Sequence, residues 1–546
     1  MHKRIRNHPG WVRSLVLPLA MVLAAVLPGV APATAFAESS SWSSYGYDIF
    51  AGPASWSSYG HDIFNTRYNP SEKKIEPSNA SRLAVKWTYT THGDVSATPA
   101  VVDKAVYFPD WGGYLHKVDA RTGARIWSHA VSTYTGRADS VSRSSPAVVG
   151  NTVYIADYSS ATLIAVNATT GALIWKTQLD SHPYAVVTQS PLVHGGVIYQ
   201  GVSSRESELA AADPTYPCCT FRGSANAIDA RTGRILWTYY TVPDNGGQAG
   251  GYSGAAVWGA PAIDPVRDVV YFTTGNNYHV PTSVTDCQTA GGTPQECMSP
   301  DNHVDSVLAL DMRTGRLIWA TGATEFDAWN VSCFPGFPPN NCPDHVGPDY
   351  DFGDGAHLLS IRDANGKQRR VVGAGQKSGV YWLLDATTGE VVWSAAVGPG
   401  GKVGGILWGT ATDGKRIYVA EANFEKEPYQ LPDGTTITGS SFAALDAQTG
   451  AIIWQIADLA DGYAWAPVSV ANGVLYASST NGNMYAIDAA TGQYLWDFQG
   501  PYSSNAGAAV VDGTVYWGNG YVKFSYAGTT GSTTTGTFYA FSVDGR

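Results

Sequence analysis

Cys218 and Cys219 are adjacent in the chain, and no other pair in it is chemically so conspicuous. A bond between their sulfurs closes an eight-membered ring across a Cα separation of about 3.8 Å, shorter than an ordinary disulfide takes. A bridge that strained is expected to serve function rather than stability. Trp258, in the run VWGAPAID, supplies an indole that can form the other half of a clamp on something flat. The other four cysteines fall in close sequence pairs, 287/297 and 333/342, as expected of an oxidising compartment, and would staple loops. None has C-x-x-C metal spacing, and there is no C-x-x-C-H haem attachment site. A redox enzyme of this sequence would therefore pass its electrons to a separate partner. The twelve histidines form no H-x-H or H-E-x-x-H pattern, which ranks a propeller hydrolase or lyase last.

The elements that must position these residues announce themselves as an internal repeat. The pattern A-x-D-A-x-T-G-x-x-x-W occurs, with small variations, seven times, ending at Trp127, Trp175, Trp237, Trp319, Trp393, Trp454 and Trp496. D-A-x-T-G is a turn in which Asp caps the backbone and Gly supplies a positive φ. Apolar residues alternate on either side of it in strand fashion. The closing Trp is expected to pack on the turn of a neighbouring unit. A unit of about forty residues is a four-stranded sheet that buries both faces only by stacking, which is a propeller blade. Trp87 ends an eighth outer strand with no blade upstream, and 506–543 supplies inner strands with no closing Trp. Joining the two ends predicts an all-β, eight-bladed propeller over 56–546; a solenoid would show capped ends, not complementary ones. Successive Trp strands lie 40 to 82 residues apart, and the surplus, in the middle blades, carries every cysteine. Long insertions on one part of a ring are where a site is built.

Composition agrees. The chain has 546 residues, 60 of them Gly and 30 Pro, with 14% charged residues and a net charge of -11. An acidic balance speaks against nucleic-acid and anionic-membrane partners. Residues 1–37 read as an export signal: Lys3, Arg4, Arg6 and Arg13, an apolar run from Leu15 to Val30, and Ala35-Phe36-Ala37 for cleavage. The run is short for a membrane span, so secretion or a periplasmic or envelope location is expected, with no span after cleavage. SWSSYGYDIF at 41–50 recurs as SWSSYGHDIF at 55–64, and only the second copy continues into NTRYNP. Residues 38–55 are thus expected to be a disordered, duplicated linker.

Together, the D-A-x-T-G-x-x-x-W repeats, the opening W-x-x-Y-G-x-D-x-x-N-T-R-Y and the vicinal cysteines resemble the pyrroloquinoline-quinone dehydrogenases. C-C-T-F-R-G and G-Q-K-S-G-V resemble most the polyvinyl-alcohol dehydrogenase branch. The resemblance implies an eight-bladed propeller with the quinone and Ca²⁺ near its axis. It implies Glu206, Asn276 and Asp351 as metal ligands, with Glu208 as a substitute for Glu206. It implies Arg143, Thr188, Ser203, Ser204, Arg205, Cys218, Cys219, Trp258, Lys377, Asn423 and Trp465 against the quinone. Asp351, in Tyr350-Asp351-Phe352-Gly353, would be the catalytic base, with Lys377 stabilising the reduced ring. Asp327, in EFDAWN, is its rival, but has Asn330 where the acid should stand. Three departures stand out: Ser96, with Asp94 nearby, replaces a carboxylate of the first blade, Arg205 replaces a small residue, and the vicinal cysteines lie later than in methanol-type enzymes, a position the polyvinyl-alcohol branch shares.

The reading that follows is a secreted quinoprotein oxidising secondary or polymeric alcohols, with an acceptor such as a cytochrome c. The alternative is a non-catalytic propeller used for binding or envelope assembly. That alternative expects polar hub residues to be absent or scattered, whereas Thr188, Glu206, Asn276, Asp351 and Lys377 stand in family order.

Overall fold

Turn chemistry builds the outer wall. Asp119 Oδ1 accepts the backbone N–H groups of Arg121 (3.1 Å) and Thr122 (2.8 Å) and the Thr122 hydroxyl (2.8 Å). Asp229, Asp311 and Asp446 repeat this pattern. The turn glycine takes φ near +71° at Gly123, Gly233 and Gly315, where a side chain would be strained. It is also covered: a Cβ at Gly123 would lie 2.7 Å from the Trp87 ring, and one at Gly315 2.6 Å from the Trp237 ring. These Trp rings thus seal the next unit, and the indole N–H of Trp87 donates to Ala120 O (3.1 Å) and that of Trp237 to Met312 O (2.9 Å). The repeated Gly and Trp are two halves of one contact between blades.

A computed structural model describes residues 55–363 and 365–546. Its strands form eight four-stranded antiparallel sheets around one axis. The first blade is Ala100–Val102, Ala105–Pro109, Tyr114–Asp119 and Arg125–Ala130, innermost strand first. Six more follow in chain order at 147–178, 192–240, 262–322, 357–396, 411–457 and 469–499. The eighth joins the chain ends: Ala509–Val511, Thr514–Gly518 and Gly536–Val543 are completed by Leu83–Thr91, with Trp87 opposite Ala540. The architecture and its closure are those the repeat predicts. Apolar clusters lie between blades, as where Ala100, Tyr107 and Trp127 of the first pack on Val148, Val153 and Ile164 of the second. Residues 1–37 and the first copy of the duplicated run lie outside the described residues.

The second copy closes the hub. Trp56 exchanges two backbone hydrogen bonds with Val101 (2.8 and 2.7 Å). The carbonyls of Ser57, Ile63, Phe64, Thr66 and Arg67 then accept the N–H groups of Val148, Ile263, Leu358, Thr412 and Val470, and Asn69 Nδ2 donates to Val510 O. One short segment thereby bonds the innermost strands of seven blades. Arg67, fully buried, donates to Val468 O (2.6 Å), Tyr59 O (2.9 Å), Thr98 Oγ1 (3.3 Å) and Ser469 Oγ (3.1 Å).

The insertions carry the helices Glu206–Ala212, Thr282–Thr289 and Pro294–Cys297. Cys287 is bonded to Cys297 and Cys333 to Cys342. Two insertions meet where Ser207 Oγ accepts Val331 N (3.1 Å) and Asn341 Nδ2 donates to Ala210 O (3.0 Å). Among the described residues no helix is long and apolar enough to cross a membrane.

Removing the guanidinium of Arg67 leaves buried carbonyls unpaired, at about 1–3 kcal/mol each. Arg67→Met is expected to lower the denaturation midpoint by several degrees, whereas Arg121→Met, in an exposed turn, should leave it within error. Thermal melts of the two variants check this.

Candidate active site

Glu206 begins the helix that leaves the third blade, and its carboxylate organises the cysteine loop. Oε1 accepts the Tyr216 hydroxyl (2.7 Å), Thr220 N (2.7 Å) and Thr220 Oγ1 (3.1 Å), and Oε2 accepts Phe221 N (2.8 Å). His182 Nε2 stands 3.5 Å from Oε1. Burial works against the charge, but these donors outweigh it and hold the carboxyl below its usual range. The loop so held carries Cys218 and Cys219, which are bonded to each other through a cis peptide with their Cα atoms 3.1 Å apart, closer than the expected 3.8 Å. The fully buried Asn330 Nδ2 lies 4.0 Å from Cys218 Sγ and donates to Tyr278 O and Asn341 O. Asn330 thus ties Tyr278 to Asn341 beside Cys218.

A second centre forms where the fourth and fifth blades meet. Asp351 Oδ1 accepts the backbone N–H of Asn276 (2.6 Å), and Oδ2 lies 2.6 Å from Lys377 Nζ. Lys377 N also donates to Asp351 O (2.9 Å). Gly275 makes the approach possible, since a Cβ there would lie against Asp351 Oδ1 and 3.3 Å from Trp258 Nε1. Asn276 Nδ2 donates to Asn277 O (2.9 Å) and Trp329 O (2.7 Å), which turns its amide oxygen the other way. Lys377 has a second partner that the sequence reading missed, Asp349 Oδ1 at 3.1 Å. Asp349, with φ at +61°, sits in a turn that brings it and Asp351 to the same ammonium group. Burial opposes the Lys377 charge, but Asp349 and Asp351 outweigh it and raise its pKa. Burial in turn pushes Asp349 well above the usual carboxylate range.

Asp327 supports this centre. Its two oxygens accept Asp349 N (3.0 Å) and Tyr350 N (2.6 Å), so it shapes the turn that presents Asp351. Burial lifts its pKa to about 6, with Asp305 and Asp351 as acidic neighbours.

Around these centres lie aromatic rings. Half-buried Trp258 packs on the cluster that holds Cys219, Phe221 and Tyr278, and also on the one that holds Leu407 and Trp465. Its ring meets Trp408 edge-on at 4.9 Å. Arg143 Cζ sits 4.1 Å over Trp408, a residue the sequence reading did not single out. Ser203 and Ser204 end a blade strand, and Ser204 Oγ accepts Glu206 N (2.8 Å). Arg205 lies 5.8 Å over the Tyr158 ring. Asn423 departs from expectation: fully buried, it donates to Glu427 O and Thr438 O and accepts Glu427 N, so its amide is engaged inside its own loop. Asp94 is likewise structural, accepting Val522 N (2.7 Å) and Ser532 N (2.6 Å), while Ser96 Oγ accepts Trp111 Nε1 (2.9 Å).

Two observations fit a flat, carboxylate-bearing quinone. Thr188 Oγ1 is buried with no hydrogen-bond partner among the described residues. Arg143 has no carboxylate within 4.0 Å among them. Calcium fits less well. It takes six to eight oxygens, whereas Glu206 is engaged by its own loop and Asp351 Oδ2 is met by an ammonium group. Among the described residues no three Asp, Glu, His or Cys side chains converge as a metal site.

The family model described as "Glucose/ethanol/alcohol dehydrogenase, beta-propeller domain" matches residues 56–333, half of the chain. That of the outer membrane protein assembly factor BamB matches 303–455 and 376–534. A polyvinylalcohol dehydrogenase of Pseudomonas sp. is 29% identical over 524 residues, covering 88% of this chain and 76% of that protein. One from Sphingopyxis sp. (strain 113P3) is 29% identical over 86% of this chain and 74% of its own length. Among solved structures, the quinohemoprotein alcohol dehydrogenase of Comamonas testosteroni superposes with a TM-score of 0.68 at 22% identity, covering 90% of this chain and 81% of that one. The repeat, the closed ring of eight blades and the family match give one conclusion: the chain belongs to the PQQ β-propeller family of glucose, ethanol and alcohol dehydrogenases.

Proposed function

We propose that this protein oxidises a secondary or polymeric alcohol to the carbonyl compound, with pyrroloquinoline quinone as cofactor and Asp351 as general base. The observation that carries this reading is the held geometry of Asp351, one oxygen on the Asn276 N–H and the other on Lys377 Nζ, beside Trp258. When bound, the quinone supplies the two-electron acceptor for the carbinol carbon. The chain's own part is to take the hydroxyl proton on Asp351, whose carboxylate the Lys377 ammonium group orients. Lys377 also offers a fixed cation to negative charge developing in the site. Arg143 and Thr188 would hold the quinone, Trp258 and the Cys218–Cys219 bridge its faces. Calcium at Asn276 and Asp351 remains part of the proposal, with Glu206 moved from ligand to organiser of the cysteine loop. The polyvinylalcohol dehydrogenases among the relatives support a secondary, polymeric alcohol. Export through residues 1–37 and a separate acceptor such as a cytochrome c complete the reading, and the three disulfides suit an oxidising compartment.

The test is the visible spectrum of protein reconstituted with quinone and Ca²⁺, with and without a secondary alcohol. Bleaching by alcohol is expected. Asp351→Asn should abolish it, lowering kcat by about 10²–10⁴-fold, while quinone binding persists. If the wild-type spectrum ignores alcohol, a binding or assembly propeller is the better reading.

Glu206→Gln separates its two possible roles. An organiser of the loop predicts a lower melting temperature with an unchanged calcium requirement. A metal ligand predicts a raised calcium requirement, measured by titrating Ca²⁺ into chelator-treated enzyme.

Asp327→Asn keeps one acceptor oxygen and loses the charge, so the Asp349–Asp351 turn loosens and kcat is expected to fall roughly tenfold, like other loosened positioning groups. Stability gives a second readout. A carboxyl raised to about 6 in the fold contributes stability that is full below its unfolded value and lost as pH rises through 6. The melting temperature of wild type should therefore fall between about pH 4 and 6 more steeply than that of Asp327→Asn.

A further inference from the structure

Lys523 lies in the Val522–Ala527 turn of the eighth blade, where no copy of the repeat and no motif marks it. Its Nζ is 5.3 Å from the centroid of the Tyr158 ring, and Arg205 Cζ, from the third blade, is 5.8 Å from the same centroid. Arg143, ahead of the second blade, lies 5.6 Å from Tyr521, two residues before Lys523. Three cations from three blades thus share one aromatic wall. Among the described residues none of the three has a carboxylate within 4.0 Å, and Arg205 Nε is buried with no acceptor. Glu208, in the first turn of the Glu206–Ala212 helix, is the acid that faces Lys523 and Arg205 electrostatically. Lys523 and Glu208 are open to solvent. Burial, then Arg205, lowers the pKa of Lys523, with Arg143 adding to the repulsion. Its position is also held: Asp94, from the start of the first blade, grips the N–H groups of Val522 and Ser532.

Three cations facing a single acid leave an excess of positive charge that is costly in the free protein and favourable once a polyanion lies among them. A lone solvated lysine would show neither the shared ring nor the two arginines. We propose that Lys523 is a cofactor-anchoring residue that, with Arg143 and Arg205 around the Tyr158 and Tyr521 rings, holds the carboxylates of the quinone. This rests on the quinone reading above, and it names a contact reaching across the ring from the last blade.

The test is quinone binding to the full chain by equilibrium dialysis, with pyrroloquinoline quinone as probe, for wild type, Lys523→Met, Lys523→Arg and Lys415→Met, the last an exposed turn lysine. Loss of one charge-assisted contact predicts a Kd weakened roughly ten- to a hundredfold in Lys523→Met. Lys523→Arg should stay within a few-fold of wild type, and Lys415→Met should match it. The Kd of Lys523→Met should also rise less with added salt. Without quinone, Lys523→Met should melt at or above the wild-type temperature, since repulsion is relieved, and gain less on adding quinone. Wild-type affinity in Lys523→Met overturns the assignment while leaving the quinone reading intact. A wild-type chain that binds no quinone overturns both.

Discussion

Buried backbone groups must be paired, and in a ring of eight sheets the innermost strands all turn such groups toward one axis. Here the pairing comes from a single stretch, 55–70, which hydrogen-bonds seven of the eight inner strands, with Arg67 at its centre. Guanidinium is suited to this place because its fixed fork of N–H donors reaches several acceptors at once. The same stretch belongs to the site. Tyr59, whose carbonyl receives Arg67, also feels Arg143 and Asp354, and burial lifts its hydroxyl to about 12, so it stays neutral at ordinary pH. A loosened hub would therefore be felt in the chemistry as well as in stability.

Electrostatics is the second constraint. Asp305, Asp327, Asp349 and Asp351 are acidic neighbours of one another with one lysine against the last two, and burial raises the pKa of Asp305 and Asp349 well above the usual range. Lys377 bonds two of these acids, and Asp327 fixes the turn between them through backbone N–H groups. Preorganisation of this kind needs no rearrangement at the moment of reaction. The cysteine loop is built on the same plan, with the Glu206 carboxylate replacing water for four donors of its own segment.

Repeat and chemistry are separable. The later blades match the model of an assembly-factor family, and residues 56–333 that of the dehydrogenases. What sets this chain apart sits in the insertions of the middle blades and at the hub, in residues the repeat does not use. Scaffold and site thus answer to different physical demands, the one to stacking and the other to charge.

The ring was legible in the sequence because its signals are local. Asp119 caps residues two and three along, and Gly123 bends where it stands. Even the closure was readable, since Trp87 lacked a blade and the last strands lacked a Trp. The types of residue at the site were legible too, Asp351 with Lys377 and Trp258 near the cysteine loop. Partners were not. Nothing in the spacing told that Glu206 turns to its own loop, that Asn423 is engaged by Glu427 and Thr438, that Asp327 carries the Asp349–Asp351 turn, or that Lys523 meets Tyr158 across the ring. A turn forms between neighbours in the chain and so writes itself into a short motif. The partner of a buried charge is chosen by desolvation and geometry among residues far apart in the chain, and only the closed ring brings those together.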